Sequence, residues 1–133
     1  MTTIAQKVSK QRTVRGLEEI PYTIDAAGKS LGRVASDAAQ ALLGKKSVHY
    51  VQNAVLPVRV TIINASKLVM TEKRIANKVY VHYTGYPGGL RETPMIRMLD
   101  KKGIEEVMRK TVDGMIPRNK LRKDRMKRLT VTA

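Results

Sequence analysis

The residues YTIDAAGKS at positions 22–30, followed by LGRVASDAAQALLG at positions 31–44, decide the fold. The first three residues favour a strand, and residues 25–28 are typical of a turn. Apolar residues then recur at three- and four-residue spacing, which predicts a helix with Ser30 at its N-cap and Gly44 just beyond its end. The alanines on the apolar face of this helix would let it lie close against a sheet.

Two more strands are predicted downstream of this unit. Residues 58–63 are mostly β-branched and apolar on both faces, which suits a strand covered by helices on two sides. A short helical stretch over residues 66–70 leads to a strand over residues 79–84. Because strands separated by helices favour a parallel sheet, we expect an α/β domain.

The last part of the chain is predicted to be helical. A glycine- and proline-rich loop at residues 85–89 leads to a helix that begins at Thr93-Pro94 and is interrupted by Gly103. A second helix runs from Ile104 to Gly114, with acids early and bases late, as the helix dipole favours. Pro117 opens a final, strongly basic helix.

Length and charge restrict the class of protein. A chain of 133 residues suits one domain, which we assign to residues 20–133. The net charge of +15, from 26 basic and 11 acidic residues, indicates a polyanionic partner such as nucleic acid. A membrane is disfavoured because Phe and Trp are absent and no long apolar span is present.

Residues 1–19 form a basic amino-terminal arm that we expect to become ordered only on RNA. The same basic, hydroxyl-rich pattern is also found in organellar transit peptides. No apolar stretch near the start is long enough for a secretory signal, so we expect the cytoplasm or an organelle matrix. The absence of cysteine excludes a disulfide framework and a thiolate metal site.

A nucleotide-binding loop is the first chemistry to test. Gly28-Lys29-Ser30 matches the end of a P-loop, but Thr23 stands where the upstream glycine is required. The dinucleotide-binding pattern fails as well, because Ser30 and Arg33 occupy its later glycine positions. The segment is therefore interpreted as a tight strand-to-helix turn, at which Lys29 and Arg33 could still contact phosphate.

Catalytic and metal sites find little support. No pair of carboxylates lies in a setting that would tune its pKa values, and no cofactor is predicted. His82 suits either a half-buried strand position or an RNA contact, and it lacks neighbouring metal ligands. His49, beside Lys45 and Lys46, suits a phosphate contact and an ordinary surface position equally well.

Basic residues instead gather in a few segments that predict RNA binding through phosphate and shape more than through base stacking, since aromatic residues are few. The loop after the third strand is interpreted either as a contact with RNA or protein or as a simple chain reversal. The candidate RNA-binding residues are Lys29, Arg33, Lys45, Lys46, His49, Lys73, Arg74, Lys78, His82, Thr84, Gly85, Tyr86, Pro87, Gly88, Gly89, Arg118, Lys120, Arg122, Lys123, Arg125, Lys127 and Arg128.

Several motifs resemble one family closely. They are IDAAGKSLGRVAS at residues 24–36, Leu43-Gly44-Lys45, Ile63-Asn64-Ala65 and, most specifically, HYTGYPGGL at residues 82–90. These residues resemble the thirteenth protein family of the large ribosomal subunit, in its bacterial type, over roughly residues 22–129. The chain departs from the family pattern at residues 53–57 and at Arg122-Lys123.

The resemblance implies a three-layer α/β/α domain with a four-stranded parallel sheet, to which the sequence adds the basic arm and the basic final helix. It also implies a structural, non-catalytic role in binding large-subunit ribosomal RNA early in assembly, beside neighbouring ribosomal proteins. Neither a membrane nor a small-molecule substrate is expected. The rival interpretations are an enzyme that uses a small phosphorylated ligand and a regulator that binds messenger RNA.

Overall fold

The computed structural model describes residues 18–133, so the predicted amino-terminal arm lies outside the described residues except for Glu18 and Glu19. No helix in this part of the chain is long and apolar enough to cross a membrane. The elements in chain order are β1 Ile20–Asp25, α1 Leu31–Leu42, β2 Val58–Ile63, a 3-10 turn Ala65–Lys67, α2 Glu72–Asn77, β3 Val79–Tyr83, β4 Leu90–Pro94, α3 Met95–Met115, α4 Arg122–Met126 and β5 Leu129–Val131.

The core is built on a small parallel sheet in the order β1-β2-β5. In the central strand β2, Val58, Val60 and Ile62 are fully buried, whereas Arg59 is exposed. The strand was expected to be covered on both sides, but its burial is concentrated on one face. Alternating side chains point to opposite faces of a strand, so this pattern gives the sheet one heavily covered side.

The predicted helix after β1 is confirmed as α1, and it covers the sheet. Its buried residues are Leu31, Val34, Ala35, Ala38, Ala39, Ala41 and Leu42. The predicted apolar stripe included Leu43 in place of Ala41, and Leu43 is only half-buried, at the end of the helix. Ser30 occupies the N-cap position but makes no side-chain hydrogen bond there. The backbone carbonyl of Ser30 accepts instead from the amides of Arg33 and Val34, at 3.1 and 3.2 Å.

The prediction of a four-stranded parallel sheet is wrong. The parallel sheet has three strands, and β3 pairs antiparallel with β4 in a separate two-stranded hairpin, with Tyr83 opposite Leu90. The physical reason is the short connection: a parallel pair needs a crossover of a dozen or more residues, whereas residues 84–89 simply reverse the chain. The third parallel strand, β5, is only Leu129–Val131 and was not predicted.

The long helix α3 is broken where the sequence predicted. Gly103 has φ 76° and ψ 179°, so two helical pieces meet there at a non-helical residue. The buried residues of the first piece are Met95 and Met98, and those of the second piece are Val107, Met108 and Val112. Helix α3 packs against α1 and β5, and in its second piece the Met115 Sδ accepts a hydrogen bond from the Ser36 hydroxyl of α1 at 3.5 Å. The outer face of this piece is therefore held in a fixed position.

The basic carboxy-terminal helix is much shorter than predicted. Helix α4 covers only Arg122–Met126, and residues 117–121 form turns instead of helix. The chain needs this irregular segment to return to the sheet, where Leu129 pairs with Val60 and Val131 with Ile62. The basic run is thereby tied to the core at its far end.

The end of α1 provides a test of this packing. Gly44 has φ +80°, and a Cβ placed there would overlap the buried Leu56 side chain. We expect Gly44→Ala to lower the free energy of unfolding by about 1–3 kcal/mol, since a left-handed alanine is strained and Leu56 must move. Chemical denaturation measures the loss.

The matched control is Gly28→Ala, which shares the backbone strain, with φ +68°, but has nothing within 4 Å of the new Cβ. The Gly44 variant should therefore lose more stability than the Gly28 variant. Equal losses would mean that the contact with Leu56 is irrelevant.

Candidate nucleic-acid interface

An open cleft of about 780 Å³ lies between the hairpin and the second half of α3. Residues at alternate positions of a strand share a face, which places Lys78, Tyr80 and His82 on the hairpin wall. Lys110 belongs to the opposite wall, on α3. The residues that line the cleft are Leu31, Arg74, Lys78, Tyr80, Val81, His82, Lys110, Thr111, Asp113, Gly114, Arg118 and Arg122.

The charge of this cleft is strongly positive. Five lining residues carry lysine or arginine cations, and a single lining residue, Asp113, carries a carboxylate. That carboxylate is already engaged, because Asp113 Oδ1 lies 3.3 Å from Arg122 Nε. In the cleft, the remaining cations of Arg74, Lys78, Lys110 and Arg118 have no ion-pair partner among residues 18–133. Like charges held this close repel one another unless an anion is bound.

The Tyr80 ring lies near two of these cations. The ammonium groups of Lys78 and Lys110 are 5.7 and 5.4 Å from the centre of its ring, within the range of cation–π attraction. Burial raises the pKa of the Tyr80 phenol, although the charge of Arg74 and the Thr111 hydroxyl act in the opposite direction. The phenol therefore stays neutral at physiological pH, and its ring remains an uncharged support for both lysines.

Five of the candidate residues meet in this cleft, namely Arg74, Lys78, His82, Arg118 and Arg122. His82 is exposed on the cleft wall, so the half-buried interpretation of this histidine is wrong. The sequence interpretation missed Lys110 and Tyr80 as site residues. The alternation of Lys78, Tyr80 and His82 was a usable signal for Tyr80, whereas Lys110 required knowledge of how α3 packs.

The other candidates lie outside the cleft. Lys29 and Arg33 are exposed at the start of α1, and Lys45, Lys46 and His49 are exposed beyond its end. Lys73 is exposed on α2. These positions leave their charged groups open to solvent, but the fold does not gather them into one concave site.

The loop from Thr84 to Gly89 closes the tip of the hairpin. The Thr84 amide donates to the Gly89 carbonyl at 3.1 Å, and the Gly89 amide donates to the Tyr86 carbonyl at 2.9 Å. Gly85 and Gly88 both have positive φ, and Tyr86 remains 75% exposed. Hydrogen bonds within the loop itself therefore reverse the chain. Tyr86, followed by Pro87, projects into solvent.

The basic run near the carboxyl end does not form one surface. Arg118 and Arg122 line the cleft, whereas Lys120 lines a second hollow with Gln52 and Asn53. Lys127 and Arg128 line a third hollow, and Lys123 is exposed elsewhere on α4. A continuous helix would have spread these charges around its axis, and the turns before α4 separate them further.

The position of Arg125 contradicts the prediction that this residue faces RNA. Its side chain is 2% exposed, and its Nη2 donates to the Ala54 carbonyl at 3.2 Å. Its Nε has no hydrogen-bond partner among the described residues. The hydrogen bond from Arg125 therefore holds α4 against the segment before β2. Arg125 was predicted to be exposed because arginine is rarely buried.

The strand-to-helix turn is confirmed, and its hydrogen bonds disfavour a nucleotide cradle. The Gly28 amide donates to the Lys67 carbonyl at 3.1 Å, and the Lys29 amide donates to the Ala26 carbonyl at 3.2 Å. A P-loop needs such amides free to bind phosphate. Groups of three or more histidines, cysteines or acids that could hold a metal ion are absent among residues 18–133.

The ends of β1 and β2 are held together by a carboxylate. Asn64 Nδ2 and the Ala27 amide donate to Asp25 Oδ1 at 3.0 and 3.1 Å. Asn64 has φ +57°, a left-handed conformation that asparagine tolerates better than most residues. The hydrogen bond from Asn64 and then that from Ala27 hold the pKa of Asp25 below its usual value, with Lys29 and Lys67 acting in the same direction.

Comparisons with known proteins agree on one family. The family model described as ribosomal protein L13 matches residues 19–133. A protein named large ribosomal subunit protein uL13 from Clostridioides difficile is 43% identical over 112 residues, covering 84% of this chain and 78% of the relative. Relatives of the same name from Geobacter sulfurreducens and Caldanaerobacter subterraneus are 40% and 42% identical, covering 84% and 83% of this chain and 78% and 76% of the relatives.

The Asp25 contacts predict a pH dependence. Because the folded-state pKa of Asp25 is lowered, its contribution to stability is present above the unfolded value of about 3.9 and is lost as the pH falls through the folded value. Asp25→Asn should therefore lower the melting temperature near neutral pH, with the difference from the unsubstituted protein vanishing in strong acid. Asp100→Asn, at an exposed carboxylate on α3, is the control, and an acid-independent difference for Asp25→Asn would contradict the account.

The burial of Arg125 predicts a stability effect. Arg125→Ala should lower the free energy of unfolding by about 1–3 kcal/mol, because the Ala54 carbonyl loses its donor and a cavity forms. Lys123→Ala, at an exposed position on the same helix, should change it by less than about 0.5 kcal/mol. Similarly small changes in the free energy of unfolding of both variants would contradict the burial of Arg125.

Proposed function

Since the chain belongs to the ribosomal protein L13 family, we propose that it is a structural constituent of the large ribosomal subunit that binds large-subunit ribosomal RNA. It is a structural protein and not an enzyme. We further propose that it supports early subunit assembly and translation beside neighbouring ribosomal proteins. Its place of action would then be the ribosome of the cytoplasm.

The observation that carries the RNA proposal is the unbalanced positive charge. The chain has 26 lysines and arginines against 11 acids. Among residues 18–133, ion pairs join Arg59 to Glu19, Arg122 to Asp113 and Lys127 to Asp124, each at 3.3 Å. Most of the described cations are therefore not neutralised within the protein, which supports a polyanionic partner.

The distribution of the charge supports contact with folded RNA. Exposed cations lie at both ends of α1, on α2 and around α4, so several faces offer phosphate contacts. The chain has five tyrosines and two histidines, and Phe and Trp are absent. Extended stacking of unpaired bases needs more aromatic surface, so recognition through phosphate, ribose and shape is favoured.

The hairpin supports a role for further partners. Val81, Tyr83 and Leu90 are each more than half exposed, at 61%, 58% and 59%. An isolated two-stranded hairpin is marginally stable in water, and this one rests on the body mainly through α2 and α3. Contact with other components of the subunit would cover these apolar side chains and stabilise the hairpin.

Gradient sedimentation tests the proposed function. The epitope-tagged chain should sediment with the large subunit after the subunits are separated at low magnesium, and it should stay there after a high-salt wash. High salt weakens phosphate contacts, so retention through the wash requires the additional contacts with neighbouring proteins that an integral component of the subunit makes and a loosely bound regulator lacks.

Two outcomes would contradict the proposal. Release of the chain into the soluble fractions by the wash would favour a loosely bound regulator. Recovery on messenger RNA without ribosomal subunits would favour a role in regulating individual transcripts.

A further inference from the structure

The basic cleft has the dimensions of a ligand site, not those of a flat charged surface. Its volume of about 780 Å³ falls within the range of about 300–1,000 Å³ typical of pockets that hold small molecules or segments of larger ones. It has walls on two sides, from the hairpin and from α3.

The lining of the cleft selects phosphate. Arg74, Lys78, Lys110 and Arg118 supply donors and positive charge, and the one carboxylate, Asp113, is occupied by Arg122. An acidic partner is needed to relieve the repulsion among these cations. Arginine donates two hydrogen bonds to one phosphate, while lysine acts as a point charge, so the mixed set suits a chain of several phosphates.

Tyr80 positions two of the lysines that line the cleft. Its ring lies 5.7 Å from the Lys78 ammonium and 5.4 Å from the Lys110 ammonium, so one aromatic group contacts a lysine from each wall. Free lysine side chains lose much rotamer entropy when they bind. Lysines already held against a ring lose less, which makes them better phosphate ligands.

We propose that this cleft holds the phosphate backbone of a single strand or sharp turn of large-subunit ribosomal RNA. In this proposal Arg74, Lys78, Lys110 and Arg118 bind phosphate, and Tyr80 is a positioning residue for the two lysines. The inference rests on the proposed function and names the part of the protein that carries it. A free nucleotide is disfavoured because the amides of Gly28 and Lys29, at the strand-to-helix turn, already donate to carbonyl groups of the protein.

Salt-dependent binding to purified large-subunit ribosomal RNA tests the phosphate ligands. The cleft variant combines Arg74→Gln, Lys110→Gln and Arg118→Gln. The control variant combines Arg97→Gln, Lys101→Gln and Lys102→Gln, which removes the same charge from exposed positions on the first half of α3, outside the cleft.

The cleft variant should flatten the slope of log Kd against log salt by about two to three, at about 0.7–0.9 for each lost phosphate contact. The control variant should change the slope by less than about one. Equal slopes for the two variants would overturn the cleft as the binding site. Failure of the unsubstituted protein to bind this RNA would instead count against the proposed function.

Two substitutions at Tyr80 test the positioning role. Tyr80→Phe keeps the ring and should bind RNA within about twofold of the unsubstituted protein. Tyr80→Leu removes the ring and should raise Kd about two- to fivefold, the equivalent of about 0.5–1 kcal/mol for an exposed cation–π contact. Thermal unfolding checks that both variants fold, and equal losses of affinity in folded Phe and Leu variants would overturn the role.

The absence of cysteine allows a direct test of position. His82→Cys on the cleft wall and Lys102→Cys outside the cleft can each carry an iron chelate that cleaves nearby RNA in reconstituted large subunits. Strong cleavage of ribosomal RNA from position 82, at sites different from those reached from position 102, supports the inference. Incorporated protein that cleaves only from position 102 would overturn it, while failure to incorporate would contradict the proposed function.

Discussion

The structure depends on the close packing of an alanine-rich helix face on the central strand of the parallel sheet. Ala35 and Ala38 of α1 and Val60 of β2 are all completely buried, and only small side chains let a helix approach a sheet so closely. Helix α3 then packs on the same helix, and the hydrogen bond from Ser36 to Met115 holds its second half, which carries Lys110, against α1. The cleft is thus a consequence of core packing: its α3 wall cannot move without disturbing the buried residues beneath it.

The sequence was sufficient for elements with strong local signals and insufficient for pairings over a distance. The apolar spacing of residues 31–43 located α1, and Gly103 marked the break in α3 because its backbone angles are unavailable to a helix. The failure at β3 had a different cause: periodicity shows that a strand exists but not which strand it joins, and the hairpin partner β4, Leu90–Pro94, has no strong strand pattern. Burial of Arg125 was equally hidden, because it depends on the distant carbonyl of Ala54.

The net charge supports the proposed class of partner, but the basic residues in the sequence did not predict where each of those side chains lies in the fold. The basic run near the carboxyl end was predicted to be one RNA-facing helix. Most of its residues instead line three separate hollows, and Arg125 is buried. In the cleft, by contrast, Lys110 joins cations that are remote in sequence. Their mutual repulsion weakens the isolated fold, so binding of a polyanion should stabilise the protein as well as position it, by ordinary linkage between ligand binding and folding.

The most direct test of this account is an electron cryomicroscopy map of the large subunit that contains this chain. We predict RNA backbone density between β3 and the second half of α3, with phosphates in hydrogen-bonding distance of Lys110 and of Arg74 or Arg118. A map that shows the chain in the subunit with this cleft open to solvent, or filled by another protein, would contradict the central claim.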